Sequence, residues 1–161
     1  MTEEMVDIVD EQDKVIGRTT RREAHAKGLL HRVVHVVVEN GAGKILCLKR
    51  GQNVDTRPGF ISNCAEHVKA GQGYEATAKR ATKEELGVAA NPKFLGTIPV
   101  YDGAHNTIIG CYKATHEGPF KIDETELEKA EFRGLEEIKD GIGRGEKYSP
   151  TFIKVIGKIY W

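Results

Sequence analysis

The sequence predicts the α+β fold class: one domain in which a mixed sheet is flanked by helices. Short apolar segments bounded by turns dominate the first two thirds of the chain and are typical of strands. Segments with helical spacing occur at residues 74–86, 135–142 and 149–161. The 161 residues contain no internal repeat or break in composition, and they suffice for one domain with a sizeable core.

Two hairpins are predicted before residue 51. In the first, "MVDIVD" and "VIGRTT" flank the turn "EQDK", and the short helix "RREAHAKG" follows and ends at Gly28. In the second, "HRVVHVVVEN" and "ILCLKR" flank the glycine turn "GAGK". Residues 51–59 form a polar loop broken by Pro58, and "FISNCAEHV" after the loop is another strand.

The segment 74–86 is predicted to be a helix because it lacks Gly and Pro. Tyr74, Ala78 and Ala81 lie on one stripe, as in a helix with a close-packed alanine face, and Gly87 stands at a left-handed C-cap position.

Two strands follow, "KFLGTIPVY" and "NTIIGCYKATH", then a short helix "LEEIKDGI" and a closing helix with Pro150 near its start. We expect the hairpin and helix of residues 1–29 to pack on a main domain of residues 30–161.

Composition and charge exclude several classes of partner. The chain has 24 basic and 24 acidic residues, so no global field would draw a long nucleic acid or an anionic membrane. Its apolar runs are shorter than the roughly 18 residues of a membrane span, and its first ten residues are acidic, which predicts a cytoplasmic protein. The three cysteines form no CxxC pair and are expected to be buried and reduced.

A cluster of charge closes the predicted helix in "RATKEELGV". Arg80 and Glu84 are four residues apart and can form an ion pair, while Glu85 lies about 100° further round the helix. Two adjacent carboxylates repel, and a hard cation such as Mg²⁺ or Mn²⁺ would relieve the repulsion. An ordinary solvated helix face is the alternative interpretation.

In this context the segment resembles the motif of the Nudix hydrolase family, G-x5-E-x7-R-E-U-x-E-E-x-G-U, where U is a bulky apolar residue. The matching positions are Arg80, Glu84, Glu85, Gly87 and Val88. Three further segments occur in the order that the family shows: a strand that ends in basic residues ("ILCLKR"), a loop that closes on Pro-Gly ("TRPGF") and an acidic patch before a short helix ("DETELEKAEFRGLEEI"). The resemblance covers roughly residues 30 to 160 and implies a Nudix α/β/α sandwich with a mixed β-sheet.

The resemblance implies divalent-metal-dependent hydrolysis of a diphosphate linkage, in a nucleoside diphosphate derivative or a similar organic pyrophosphate. The cofactor would be Mg²⁺ or Mn²⁺ and the partner a small-molecule diphosphate substrate. Glu85 would be the principal metal ligand and Glu84 a second ligand or the water-orienting base, held in place by Arg80. Three cations are candidates for binding the substrate phosphates: Lys49, Arg50 and Arg57.

Three departures from the motif affect the chemistry. Glu66 stands where the family has its first Gly, Gln72 replaces the first Glu, and Ala81 replaces the Glu after the Arg. In the family that last Glu and the one matching Glu85 hold the metal together, so a Glu placed at position 81 should restore the pair. Without it, Glu66 and His67 are the nearest replacement ligands. A catalytically weak or inactive Nudix domain that binds a nucleotide or a protein partner is the alternative function.

The leader "VDIVDEQDKVIGRTTRREAHAKGLLHR" resembles that of the branch containing isopentenyl-diphosphate isomerases. That branch combines a cysteine, several histidine metal ligands and acidic residues on a later strand. His25, His31 and His67 fall near its histidine positions, with His25 one residue out of register. Its cysteine position is Ala65 here, because Cys64 stands one residue too early and would point to the opposite face of a strand. The later strand "AHNTIIGCY" offers no carboxylate, so isomerase activity is not expected.

Overall fold

A computed structural model describes residues 3–103 and 105–161. These residues form one mixed sheet flanked by helices, which confirms the predicted α+β sandwich. The strands are β1 (Met5–Val9), β2 (Val15–Thr20), β3 (His31–Glu39), β4 (Ile45–Arg50), β5 (Ile61–Ser62), β6 (Cys64–His67), β7 (Lys93–Val100), β8 (Thr107–Thr115) and β9 (Leu127–Arg133). The helices are α1 (Arg21–Lys27), α2 (Tyr74–Leu86), α3 (Leu135–Gly143) and α4 (Pro150–Tyr160).

Strand β3 is the centre of the sheet. Along one side it pairs in parallel with β8 over its whole length. Along the other side it pairs antiparallel with three strands in succession: β1, β6 and β4. The predicted β3–β4 hairpin therefore exists but separates after a single register pair, Glu39 with Ile45. Strand β4 continues instead with β5 and β9, and β7 pairs with β8.

The two faces of the sheet each support a hydrophobic core. On one face, Val34, Val36 and Val38 of β3 belong to the cluster that contains Ala78, Ala81 and Leu86 of α2. On the other face, Val37 belongs to the cluster that contains Ile138 of α3 with Phe152, Val155 and Ile156 of α4. We call these the α2 face and the α4 face. Side chains alternate between them because successive strand residues point in opposite directions.

Helix α2 has the predicted bounds and the predicted buried stripe. Ala78 and Ala81 are 0% exposed, so the backbone of the helix lies close to the sheet. Gly87 has a φ of 68° at the C-cap. Its N–H donates to the carbonyl of Lys83, and the N–H of Val88 donates to the carbonyl of Thr82. This left-handed conformation favours glycine and ends the helix directly after Leu86.

Two predictions of strands need correction. The segment predicted as one strand after the 51–59 loop is interrupted at Asn63, where the chain changes partner from β4 to β3. The sequence predicts only an acidic patch at residues 127–133, where the structure has strand β9. A register shift opposite Lys49 and Arg50 interrupts the alternation of β9, so Leu127 and Ala130 reach the core three residues apart.

The N-terminal hairpin continues the same sheet, through the pair Ile8 and His31. The division of the chain into a unit of residues 1–29 and a main domain of residues 30–161 stays a prediction. Cys47, Cys64 and Cys111 are buried free thiols, as expected. Within residues 3–103 and 105–161, none of the helices has the length and apolar character to cross a membrane.

Candidate functional site

Strand β6 sends two neighbouring side chains to opposite faces of the sheet. Glu66 is in register with Val34 and faces α2, whereas His67 is in register with Val33 and faces the α4 side. The two residues predicted to replace one missing metal ligand therefore belong to different sites. We call Glu66, Glu84 and Glu85 the carboxylate centre, and His25, His31 and His67 the histidine centre.

Glu85 is the inner member of the carboxylate centre. It lies in the last turn of α2, half-buried against β6, where it accepts a hydrogen bond from the backbone of Ala65. Burial, reinforced by the nearby carboxylates of Glu66 and Glu126, raises the pKa of Glu85 to about 8. The hydrogen bond and the guanidinium of Arg50 oppose it. The site thus gathers several carboxyl groups in a place that is poorly solvated.

Glu66 completes this centre from the strand below. Burial raises its pKa, Arg80 opposes the increase, and the carboxylates of Glu84 and Glu4 reinforce it. Glu84 itself is exposed. The position where the family motif has its first Gly thus carries a carboxylate, that of Glu66, which faces α2. Glu4 was not anticipated, because only the folding of β1 beside β6 brings the N-terminal segment here.

Arg80 does not form the predicted ion pair with Glu84. Its guanidinium donates to the side-chain oxygen of Gln72 and, over 3.1 Å, to the backbone carbonyl of His67. The prediction was wrong because it considered only the helix surface, whereas Arg80 is half-buried and faces β6. Arg80 therefore ties α2 to the strand that carries Glu66 and His67.

The three predicted phosphate-binding cations are not brought together. Arg50 opposes the increase in the pKa of Glu85. Its guanidinium donates to the carbonyl of Thr56 over 2.8 Å and to the hydroxyl of Thr56 over 3.1 Å. Lys49 pairs with Glu128 at 3.3 Å and, one residue from Arg50, points to the other face. Arg57 lines a cavity on the α4 face. Only Arg50 is placed to serve the carboxylate centre.

The histidine centre joins three elements. His25 is on α1, His31 begins β3 and His67 ends β6, and one ring nitrogen of each lies within 4.8 Å of the others. The Nε2 atoms of His25 and His67 are 3.3 Å apart. Burial, reinforced by charge on the neighbouring histidines, lowers the pKa of His25 to about 4 and that of His67 to about 3. The rings are therefore neutral near pH 7.

A cavity of about 170 Å³ lies beside the histidine centre on the α4 face. It is lined by His25, Val33, His35, Thr56, Arg57, His67, Asp102, His105, Thr107, Ile109 and Thr151. Arg57 and Asp102 pair across its edge at 3.5 Å. Cys64 belongs to the core of the α2 face, so it does not reach this cavity, as the one-residue offset predicts.

The sequence did not single out two features of the site. One is Glu126, whose carboxylate helps to raise the pKa of Glu85, and the other is the cavity on the α4 face. Glu126 lies in the acidic patch already noted, and an offset next to β9 brings its backbone carbonyl 2.8 Å from Gly51 N. The cavity has no signal in any single segment, because its lining residues come from distant parts of the chain.

Comparison with known protein families gives one match over most of the chain. The model of the NUDIX domain matches residues 29–153. An uncharacterized Nudix hydrolase of Yersinia pestis is 32% identical over 155 residues, covering 95% of this chain and 84% of that protein. The uncharacterized Nudix hydrolase YfcD of Escherichia coli K12 is 30% identical, covering 95% of this chain and 84% of that protein.

Solved structures show the same fold. The crystal structure of DR0079 from Deinococcus radiodurans has a TM-score of 0.87 at 20% identity, covering 98% of this chain and 100% of that one. The NUDIX domain of Shewanella oneidensis NrtR, complexed with ADP ribose, has a TM-score of 0.63 at 17% identity, covering 87% of this chain and 96% of that one.

Proposed function

Because the chain belongs to the NUDIX domain family, we propose that it is a metal-dependent hydrolase that cleaves a diphosphate linkage. The proposed substrate is a nucleoside diphosphate derivative or a similar organic pyrophosphate, and the proposed cofactor is Mg²⁺ or Mn²⁺. The ADP ribose bound by the Shewanella domain supports including nucleoside diphosphate sugars among the candidates. We also propose a cytoplasmic location, which is inferred from the composition of the sequence alone.

The observation that carries this proposal is the half-buried carboxylate of Glu85 beside Glu66 and Glu126. Burial and like charge raise its pKa to about 8, so the arrangement is costly unless a positive charge is present. Carboxylate oxygens are the ligands that Mg²⁺ and Mn²⁺ prefer. The donor set therefore fits a hard divalent cation, with Glu85 and Glu66 as its ligands and Glu84 beside them.

Each residue of the carboxylate centre has a proposed role. A bound cation would neutralise charge on the bridging and leaving oxygens of the diphosphate. Glu84 is exposed, and its proposed role is to orient an attacking water and accept its proton. Arg50 offers a guanidinium to a phosphate oxygen from the same face. Arg80 positions β6, and therefore Glu66, rather than touching the substrate.

A panel of nucleoside diphosphate derivatives and dinucleotides, assayed with Mg²⁺ and with Mn²⁺, tests the proposal. Glu85→Gln removes the ligand charge at constant size, so hydrolysis and calorimetric Mn²⁺ binding should both fall strongly. Glu75→Gln is the matched control, because Glu75 is exposed in the first turn of the same helix and pairs with Lys79. Unchanged Mn²⁺ binding in Glu85→Gln would show that the metal lies elsewhere.

A second candidate function is a nucleotide- or partner-binding module with weak or no turnover. The favouring observation is Ala81, whose methyl group is 0% exposed in the core where the family motif has a carboxylate. Ligand-induced stabilisation separates the two functions, because a bound nucleotide raises the melting temperature whether or not it is cleaved. Stabilisation by a panel member without release of its products would favour the binding module.

Membership of the isomerase-like branch remains a proposal about the leader alone. His25, His31 and His67 stand near that branch's histidine positions, and the structure brings them together. Strand β8 nevertheless offers Thr107, Ile109 and Cys111 to the cavity side, without a carboxylate. We therefore do not propose isomerase activity.

A further inference from the structure

The turn between β3 and β4 contains a chemically reactive pair of residues. Asn40 is the one asparagine of the chain that is followed by glycine, Gly41. In such a pair the main-chain nitrogen of the glycine can attack the side-chain carbonyl carbon of the asparagine once it has lost its proton. Glycine has no side chain to obstruct this approach, so the conformation of the turn decides whether the attack occurs.

The side chain of Asn40 is fixed by the turn that follows it. Its Oδ1 accepts hydrogen bonds from Ala42 N over 3.1 Å and from Lys44 N over 2.9 Å. The main chain is fixed as well, because Asn40 N donates to the carbonyl of Lys44 over 2.9 Å and Gly43 N donates to the carbonyl of Asn40 over 3.0 Å. These bonds oppose the rotations that would bring the side-chain carbonyl carbon of Asn40 to the attacking nitrogen.

The attacking nitrogen itself is held by a residue from a distant part of the chain. Gly41 N donates to the Oε2 atom of Glu117 over 2.7 Å, in the loop between β8 and β9. This length is typical of a hydrogen bond to a charged acceptor. The bond must break before the nitrogen can turn towards Asn40, and the negative charge of Glu117 disfavours loss of the proton from Gly41 N.

This restraint on the nitrogen lies at the surface. Gly41 and Glu117 are both exposed, so the contact between them is not enclosed by packed side chains. An exposed hydrogen bond contributes less than a buried one and opens more readily. Water also reaches the turn freely. The reactivity of the pair therefore depends on a contact that a single substitution can remove.

We propose that Asn40 is a self-modification site, at which deamidation is suppressed by Glu117. In the reaction a bond forms between Gly41 N and the Cγ atom of Asn40, and the side-chain nitrogen leaves as ammonia together with the proton of Gly41 N. The cyclic imide that results takes up one water and opens to aspartate or isoaspartate. The reaction requires no oxidant, reductant or cofactor, and the proposal does not rest on the proposed hydrolysis.

The isoaspartate product would disturb the end of β3. It adds a carbon atom to the main chain inside the turn, where the bond between Asn40 N and the carbonyl of Lys44 closes the hairpin. Strands β3 and β4 have a single register pair behind this bond, Glu39 with Ile45. Little pairing between the two strands remains to hold a distorted turn, so the modified protein should melt at a lower temperature than the unmodified protein.

Removal of the Glu117 carboxylate tests the proposal. The parent protein and its variants are incubated in mildly alkaline buffer, and peptide mapping by mass spectrometry measures conversion at residue 40. Glu117→Ala should deamidate about fivefold faster than the parent, the factor that a hydrogen bond of ordinary net strength provides. Glu117→Gln keeps an acceptor without the charge and should fall between the two. Glu124→Ala is the matched control, because it removes another exposed carboxylate of the same loop and should react at the parent rate.

A second substitution and a second condition separate local release from unfolding. Gly41→Ala, added to Glu117→Ala, should abolish the gain, because a side chain at residue 41 obstructs the attack. Circular dichroism confirms that the variants are folded, and the parent protein in urea gives the rate of the unrestrained pair. Deamidation of the folded parent at the rate seen in urea, or a Glu117→Ala rate equal to or below that of the parent, would overturn the proposal.

Discussion

The methyl group of Ala81 lies in the core beneath α2, at the position where the family motif has a metal-binding carboxylate. A motif-based repair, Ala81→Glu, would therefore insert a charge among apolar side chains, one helical turn from the poorly solvated carboxyl group of Glu85. We expect it to lower the free energy of unfolding by roughly 3 kcal/mol or more. Urea denaturation measures this, with Ala76→Glu on the exposed side of α2 as the nearly neutral control. A stable variant with stronger Mn²⁺ binding would contradict the buried placement.

His35 makes the stability of the fold depend on pH. It is 6% exposed, and burial lowers its pKa from 6.5 to about 4. In the unfolded chain this histidine therefore binds a proton near pH 6.5, whereas in the folded chain it binds one only near pH 4. The contribution of His35 to stability is consequently lost as the pH falls through this window. A shift of this size corresponds to roughly 3 kcal/mol.

Removing this titration should flatten the pH profile. In urea denaturation with chelator between about pH 7 and pH 4, His35→Leu should lose stability less steeply than the parent protein. The remaining slope combines His25, His31 and His67, whose lowered pKa values act in the same direction as that of His35, with Glu85, whose raised pKa opposes them. An unchanged slope in His35→Leu would mean that burial does not lower the pKa of His35 in the folded protein.

Residues within one helical turn were easier to predict than residues from different elements. The motif residues Glu84 and Glu85 could be identified from their spacing along α2. The partner of Arg80 could not, because it depends on the path of β6 beneath the helix. The separation of Glu66 from His67 was in principle readable, since neighbouring strand residues point to opposite faces.

At the scale of elements, α2 is docked on β8 through a glycine. A Cβ at Gly110 would lie 2.6 Å from the Cδ1 atom of Tyr74, and the hydroxyl of Tyr74 donates to Asp13 over 2.8 Å. Gly110→Ala must displace this ring, so we expect a loss of about 1–3 kcal/mol in thermal or urea unfolding. Gly157→Ala, in α4 with open space around it, should be neutral or slightly stabilising. Equal stability of the two variants would contradict the tight docking.

Elements with strong local signals were predicted well, and those defined by their partners were not. Helix α2 has an alanine stripe and a C-capping glycine, and both hairpins have turn residues. Strand β9 lacks regular alternation because its register shifts opposite β4. The division between β5 and β6 is a change of neighbour at Asn63, for which the local sequence carries no signal.

At the scale of the whole molecule, the sheet separates two kinds of ligand atom. Carboxylate oxygens gather on the α2 face and imidazole nitrogens gather on the α4 face. If the carboxylate centre binds the proposed cation, Mn²⁺ should raise the melting temperature of the protein, because an ion that binds only the folded state stabilises it. Glu85→Gln should abolish this increase, and chelator should abolish it in the parent protein. An equal increase in Glu85→Gln would instead place the bound Mn²⁺ outside the carboxylate centre.

The order of strands in the sheet was beyond the reach of the sequence. Strand β3 has three successive antiparallel neighbours on one side, and two of them are distant in the chain or separated by a loop. The family resemblance supplied the sandwich architecture, whereas the local patterns supplied only its pieces. The position of the cavity follows from that order and could be seen only in the structure.

The alternation of Glu66 and His67 along β6 also constrains how this chain can evolve. A single-residue insertion or deletion between Ile61 and His67 would exchange the two side chains between faces and place each in the wrong chemical environment. The loop of residues 51–59 carries no such register. Length changes among relatives should therefore accumulate in that loop and spare residues 61–67, which an alignment of the family can check.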